Sequence, residues 1–299
     1  MKITPKGIHT VRVDRKWRIM HSFMIENEIF VRLGVFCSIF LIVAIWEVFT
    51  PRRKLSTSKV LRWYSNLSIV VVNSLVLRWT FPVLAVGLAV EAQKHGWGLF
   101  NNIEIAWGLQ LVLSIILLDF IIYLQHAMFH FIPLLWRLHR MHHSDLDYDV
   151  TTGSRFHPLE IILSMIVKLA AVAVIGPLPV AVIIFEVLLN GTAMFNHGNI
   201  KLPKKVDRFI RWFVVTPDMH RIHHSIIRSE TDSNFGFNVP WWDRLFGTYR
   251  DQPKEGHDKM TIGIELFRNP KFLHLHWLIM IPFLNVKPEE ELANSDRCS

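Results

Sequence analysis

The sequence predicts an all-α fold: an integral-membrane helical bundle of about 4–5 membrane helices carrying a cytoplasmic, helical, His-rich metal-binding cap. Three observations predict it. Hydrophobic residues make up 51% of the 299-residue chain, and the mean hydropathy is +0.28. The apolar residues come in long blocks, the pattern of membrane helices. Ten of the sixteen histidines fall between positions 126 and 224, in the polar segments between those blocks.

The blocks follow in order. The first, Ile29 to Phe49, is long enough to cross a hydrocarbon core of about 30 Å as a helix, and Pro51-Arg-Arg-Lys54 ends it. No small-residue cleavage site follows it, so it reads as a retained anchor. The second runs from Leu67 to Val90, interrupted by Arg78, and the third from Ile103 to Leu124. The fourth, Leu159 to Phe195, is broken by Gly176-Pro177-Leu178-Pro179, which predicts a helical hairpin. Segments 125–158 and 196–270 are polar and hold all the His clusters. The apolar stretch Phe272 to Leu284 is too short to span and reads as interfacial or re-entrant, and the polar tail from Lys287 reads as disordered. The chain therefore divides into an N-terminal basic segment with membrane helices (1–102), a unit that holds the His clusters (103–270) and an interfacial segment with its tail (271–299).

The net charge of +8 does not signal nucleic acid, because the Lys and Arg flank apolar blocks, where they meet anionic lipid. Loop 50–66 carries Arg52, Arg53, Lys54, Lys59 and Arg62, whereas loop 91–102 carries Lys94. The positive-inside rule then puts the His-bearing segments in the cytoplasm. The basic residues 1–28 fall outside on this scheme, which leaves the first block open as a half-crossing or interfacial helix. Cys37 and Cys298 provide neither a disulfide framework nor a thiolate site.

The clusters carry the chemistry. His126 and His130 are spaced i, i+4; His139, His142 and His143 are spaced i, i+3, i+4, and so are His220, His223 and His224. On a helix these spacings stack imidazoles on one face, and a metal needs such converging lone pairs from about 2 Å away. The triplets lie in matching words, His-Arg-Met-His-His-Ser and His-Arg-Ile-His-His-Ser, which suggests two half-sites around two metals. His197 and His157 are candidates to complete the set. Asp119 and Tyr123 continue the polar stripe of the third block, and Asp119 is expected to accept a hydrogen bond from an imidazole or from Tyr123. His9, His21, His95 and His257 are isolated, and His274 and His276 read as interfacial packing. Trp241 and Trp242 read as packing or interface anchors. Arg140 and Arg221 could pair with Asp145 and Asp218 or touch lipid phosphates. Few carboxylates lie in the clusters, which argues against calcium and magnesium; imidazole suits zinc, copper, iron and nickel, and spacing alone does not separate them.

With these residues the chain resembles the fatty acid hydroxylase and sterol desaturase superfamily of integral-membrane di-iron enzymes. The resemblance rests on His126-x3-His130, His139-x2-His142-His143 and His220-x2-His223-His224, with the lead-in Asp119-Phe-x-x-Tyr123-x-x-His126. Arg155-Phe-His-Pro158, Asn196-His-Gly-Asn199, Asn234-Phe-Gly and Trp242-Asp-Arg-Leu-Phe-Gly-Thr248 also have counterparts there. Where some members carry an HxxxH pair around His197, this chain has Ala193 at the earlier position. The resemblance implies two iron ions, O2 as co-substrate, a lipid drawn from the bilayer, and electrons from a separate protein. The reaction could be hydroxylation, desaturation or ether cleavage of a fatty acyl, sterol-like or ether lipid. Two other classes stand beside it. A metal transporter or store would need ligands near the bilayer midplane. A membrane zinc hydrolase would need a Glu within a His pair; the nearest, Glu160, lies beyond the boxes.

Overall fold

The computed structural model describes residues 23–286, so expectations for the N-terminal 22 residues and the tail from Lys287 lie outside them. Among the described residues the regular structure is helical, apart from two isolated β-bridges, Pro51 with Ile200 and Ser225 with Ile262. The long helices are α1 (Glu28–Phe49), α2 (Lys59–Thr80), α3 (Ala85–His95), α4 (Trp107–Phe131), α5 (Pro133–His143), α6 (Pro158–Ile175) and α7 (Pro179–Asn196). Short helices follow: α8 (Lys204–Ile210), α9 (Pro217–His223), α10 (Arg228–Thr231), α11 (Trp241–Phe246), α12 (Gly256–Lys259) and α13 (Leu275–Met280). Among the described residues, five stretches are long and apolar enough to cross a membrane: α1, the run Lys59–Asn101 that contains α2 and α3, α4, α6 and α7. Large apolar side chains such as Phe30, Phe49 and Phe131 point outward, as lipid contact requires.

Local chemistry sets the boundaries. Ser58 caps α2 by accepting from the Leu61 amide at 3.3 Å. The second apolar block is not one helix. Pro82 drives Phe81 out of the helical region (φ −117°, ψ 111°) and splits it into α2 and α3. The predicted hairpin forms as α6 and α7, each with Pro at its start. Gly176, at φ +66°, ends α6, and a Cβ there would lie 2.7 Å from Trp97 O. This contact fixes the hairpin tip against the end of α3.

The packing brings distant segments to one end of the bundle. α1 packs along α7, α4 packs on α5 and α7, and α3 packs on α6 and α7. Arg62, expected as a loop charge, is fully buried in α2. Its guanidinium takes Asp145 through two bonds (2.8 and 2.9 Å) and Asp149 at 2.5 Å, which clamps the loop between α5 and α6. Burial pushes the Asp145 carboxyl up, but Arg62 and Arg155 outweigh it and hold that carboxyl well below its usual range. The stretch Phe272 to Leu284 folds back onto the protein. Leu278 and Ile281 are buried against Ile69 of α2 and Met141 of α5, and the carbonyls of Ile281 and Leu284 accept from Arg140.

Candidate metal centre

Nine of the ten predicted ligands converge in two buried groups. The first is His126, His130, His139, His143 and His223; the second is His142, His197, His220 and His224. In each group, one donor nitrogen per residue lies within 4.8 Å of the others. The groups abut, because His143 of the first stacks on His224 of the second with ring centroids 4.4 Å apart. α4 supplies His126 and His130, and α5 supplies the first triplet. α9 and its C-cap supply the second triplet, and the C-cap of α7 supplies His197.

Six of the nine rings have their outer nitrogen tied to an acceptor. The Nδ1 of His126 donates to Phe235 O (2.7 Å), that of His139 to Glu160 Oε1 (2.7 Å), and that of His142 to Arg155 O (3.2 Å). The Nδ1 of His197 donates to Ala193 O (2.7 Å), that of His223 to Ser233 O (2.8 Å), and that of His130 to Asp232 Oδ1 (3.2 Å). A proton on Nδ1 leaves the inward Nε2 as a lone pair. Burial foremost, with neighbouring imidazoles, holds His142, His143, His220, His223 and His224 well below the usual histidine range. Burial likewise pushes His197 down to about 3. These rings are therefore neutral.

The inward geometry then asks for cations. His126 and His139 bring their Nε2 atoms to 3.1 Å, and His142 and His197 bring theirs to 3.2 Å. Facing lone pairs at such distances repel, whereas a metal ion between them makes both into ligand bonds. His130 Nε2, His223 Nε2 and both nitrogens of His143 and His220 are buried with no hydrogen-bond partner. The donor set is all imidazole, so the residues fit a pair of borderline metal ions and these clusters can bind metal.

His157 lies outside both groups. The Pro after it makes it the N-cap of α6: its Nδ1 accepts from the Leu159 amide at 3.1 Å, and its Nε2 donates to Ile279 O at 3.2 Å. Asp119 does not take an imidazole or Tyr123. Its oxygens accept from Asn238 Nδ2 and Trp242 Nε1, both at 2.7 Å, and Tyr123 pairs with Thr248 at 3.0 Å. Both act one step back, holding the 235–248 segment whose Phe235 carbonyl takes His126. Asp243 in that segment accepts from the amides of Phe235 and Gly236. Arg221 pairs with Asp218, while Arg140 spends its donors on backbone carbonyls. Trp241 donates to Trp212 O. The residues that sequence reasoning missed are Glu160, Asp232, Arg62 and Arg155. Glu160 had a signal, as the acid at the start of α6 beside the boxes.

Residues 111–248 match the fatty acid hydroxylase family model. An ornithine lipid hydroxylase of Rhizobium tropici is 31% identical over 146 residues, 48% of this chain and 43% of that protein. An alkylglycerol monooxygenase of Xenopus tropicalis is 27% identical over 188 residues, 60% of this chain and 40% of that protein. A putative Delta(7)-sterol-C5(6)-desaturase of Arabidopsis thaliana is 28% identical over 169 residues, 52% of this chain and 55% of that protein. The match thus spans about two fifths to just over half of these relatives' length. No solved structure matches. Over residues 111–248 the chain is thus similar to the fatty acid hydroxylase family and to lipid hydroxylases, monooxygenases and sterol desaturases.

Proposed function

We propose that the protein is a membrane-bound di-iron oxygenase that hydroxylates or desaturates a lipid, using O2 and electrons from a separate protein. The observation that carries the metal half of this reading is the pair of facing Nε2 atoms, His126 with His139 and His142 with His197. The relatives, named for lipid hydroxylation, monooxygenation and sterol desaturation, support the choice of iron and O2. When bound, the iron pair supplies the oxidising power that an unactivated C–H bond requires.

The chain's own residues do the rest. Nine imidazoles in two abutting groups would hold the ions, and outward hydrogen bonds orient six of them, His126, His130, His139, His142, His197 and His223, before any ion arrives. A cavity of about 260 Å³ reaches the centre at His126 and His139 between α1, α2, α4, α6 and α7. Its wall includes Ile122, Phe129, Phe156 and Phe237, which exclude water and align a lipid chain. Glu160 argues against a zinc hydrolase. Its bonded oxygen lies on the outer, Nδ1 side of His139, where it orients a ligand ring. Arg52 binds Asp218 of α9, so the basic 50–58 loop shares the face of the His centre, and by the positive-inside rule we read that face as cytoplasmic.

The test is metal content and spectroscopy of anaerobically purified protein, with His142→Ala and His223→Ala beside it. Two irons per chain and oxygen uptake on reduction are expected, with both variants depleted in metal and inactive. Zinc at about one ion per chain, with no oxygen uptake, sinks the reading. Comparing lipids of cells with and without the protein then separates a gained oxygen from a loss of two hydrogens.

A further inference from the structure

We propose that the cavity beside the His centre takes a lipid bearing a hydrogen-bond-donating polar group (hydroxyl, amine or amide) close to the carbon held at His126 and His139, and that Asn73 and Gln125 select for it. This rests on the cavity being the substrate site, as proposed above.

Three oxygens in the cavity wall are buried without a partner: Asn73 Oδ1, Gln125 Oε1 and Glu160 Oε2. They come from three helices, α2, α4 and α6, and all three residues are under 9% exposed. In each side chain the other polar atom is already engaged. Asn73 Nδ2 donates to Phe156 O at 2.9 Å, Gln125 Nε2 to Ser164 Oγ at 3.1 Å, and Glu160 Oε1 accepts from His139 at 2.7 Å. What remains open is acceptor capacity only, and a buried acceptor without a donor is costly. All three lie at the His end. Phe156, whose carbonyl takes Asn73, stacks on His142 at 4.5 Å; Gln125 neighbours His126; Glu160 orients His139.

Among the described residues, the far end of the cavity offers no free cation for an anionic group. Lys168 lies about 12 Å along α6 from Glu160 at a helical rise of about 1.5 Å per residue, and it pairs with Glu186 at 2.7 Å. Arg32 pairs with the same carboxylate at 3.1 Å, and Glu28 adds a second acid to the cluster. Among the described residues, a fatty acid or phosphate would meet Arg32 and Lys168, both already committed to Glu186. A bare hydrocarbon would leave the three acceptors unpaired.

The experiment is equilibrium binding to the purified full chain in detergent, without turnover, using hexadecanol, hexadecylamine, palmitic acid and hexadecane as probes. Hexadecanol and hexadecylamine should bind at least about tenfold more tightly than palmitate or hexadecane. Asn73→Leu and Gln125→Leu should each remove about tenfold of that preference while leaving hexadecane affinity unchanged. Palmitate or hexadecane binding as tightly as hexadecanol to the wild type overturns the proposal, and this arm needs no variant to fold. Folded leucine variants that keep the full preference overturn the assignment to Asn73 and Gln125. Binding is read without iron or O2, so a failed oxygenase reading leaves the ranking standing, and oxygen uptake with the wrong ranking overturns this inference alone.

Discussion

Replacing Arg62 by Met is the perturbation whose size the structure sets most directly. The Arg62 and Asp145 side chains are fully buried, and that of Asp149 is 1% exposed. The guanidinium makes two bonds to Asp145, one to Asp149 and one to Thr152 at 3.1 Å. Methionine fills similar volume but strands two buried carboxylates, with Arg155 left 3.8 Å from Asp145. Removing one partner of a buried ion pair costs about 3–5 kcal/mol. For a chain of this size that is roughly 6–20 °C in melting temperature. The loop also carries Arg155, whose carbonyl takes His142, so bound metal should fall with stability. The triple variant Arg62→Met, Asp145→Asn, Asp149→Asn removes the stranded charges and should recover most of the loss. The assay is thermal unfolding in detergent with metal analysis of the same samples. If Arg62→Met melts within about 2 °C of wild type and keeps its metal, the buried clamp does not hold the loop.

Three further outcomes follow from particular groups. Glu160→Leu should lower metal affinity by about 10–100-fold, with Glu160→Gln nearer wild type because it keeps an acceptor for His139; chelator competition on both reads this, and equal affinities would deny Glu160 its orienting role. Burial, opposed by Asp218, pushes His257 down to about 4, so His257 is neutral in the fold; stability should be full above about pH 6.5 and fall by up to ~3 kcal/mol as pH drops toward 4. His257→Gln should flatten that part of a melting-versus-pH series, and an unchanged slope would assign the loss to other groups. Phe209, Trp212, Phe213 and Leu245 are 55–69% exposed beside Lys204, Lys205 and Arg208, the make-up of an interfacial surface; a spin label at Phe213→Cys, in a chain freed of Cys37 and Cys298, should be relaxed by O2 and not by a water-soluble nickel chelate, and the reverse would put this face in water.

The helices and the His triplets were legible because both are local signals. Block length, a Gly-Pro break and i, i+4 spacing are written in neighbouring residues. The break at Pro82 was equally local, but the continuous apolar run around it masked it. Glu160, Asp232 and Arg62 were not legible as partners, because each meets its group across 21, 102 and 83 residues of chain respectively. His157 and His197 are both lone histidines next to a membrane helix, and only the packing separates them. One caps the start of α6 and faces the 279–283 segment; the other ends α7 among three imidazoles of the second group. Asp119 was legible as a residue in need of partners, yet its donors came from a segment more than a hundred residues away.

The repeated word His-Arg-Met/Ile-His-His-Ser has a physical reason once the two groups are compared. Successive residues on a helix turn by about 100°, so positions i and i+4 lie about 40° apart, with i+3 on the other side of i. In α5 the i, i+4 pair, His139 and His143, enters the first group and His142 the second; in the second triplet, His220 and His224 enter the second group and His223 the first. Each triplet therefore spans both groups, and the two exchange roles. The residue at i+2, Met141 or Ile222, is fully buried behind the imidazoles. The Arg at i+1 anchors the helix from outside the centre, Arg140 on the carbonyls of Ile281 and Leu284, Arg221 on Asp218 and Gly198 O. Neither group can assemble from one triplet alone, since each needs two imidazoles from one and one from the other. The spacing that makes the site readable in the sequence is thus the same spacing that ties two segments, 81 residues apart, into one centre.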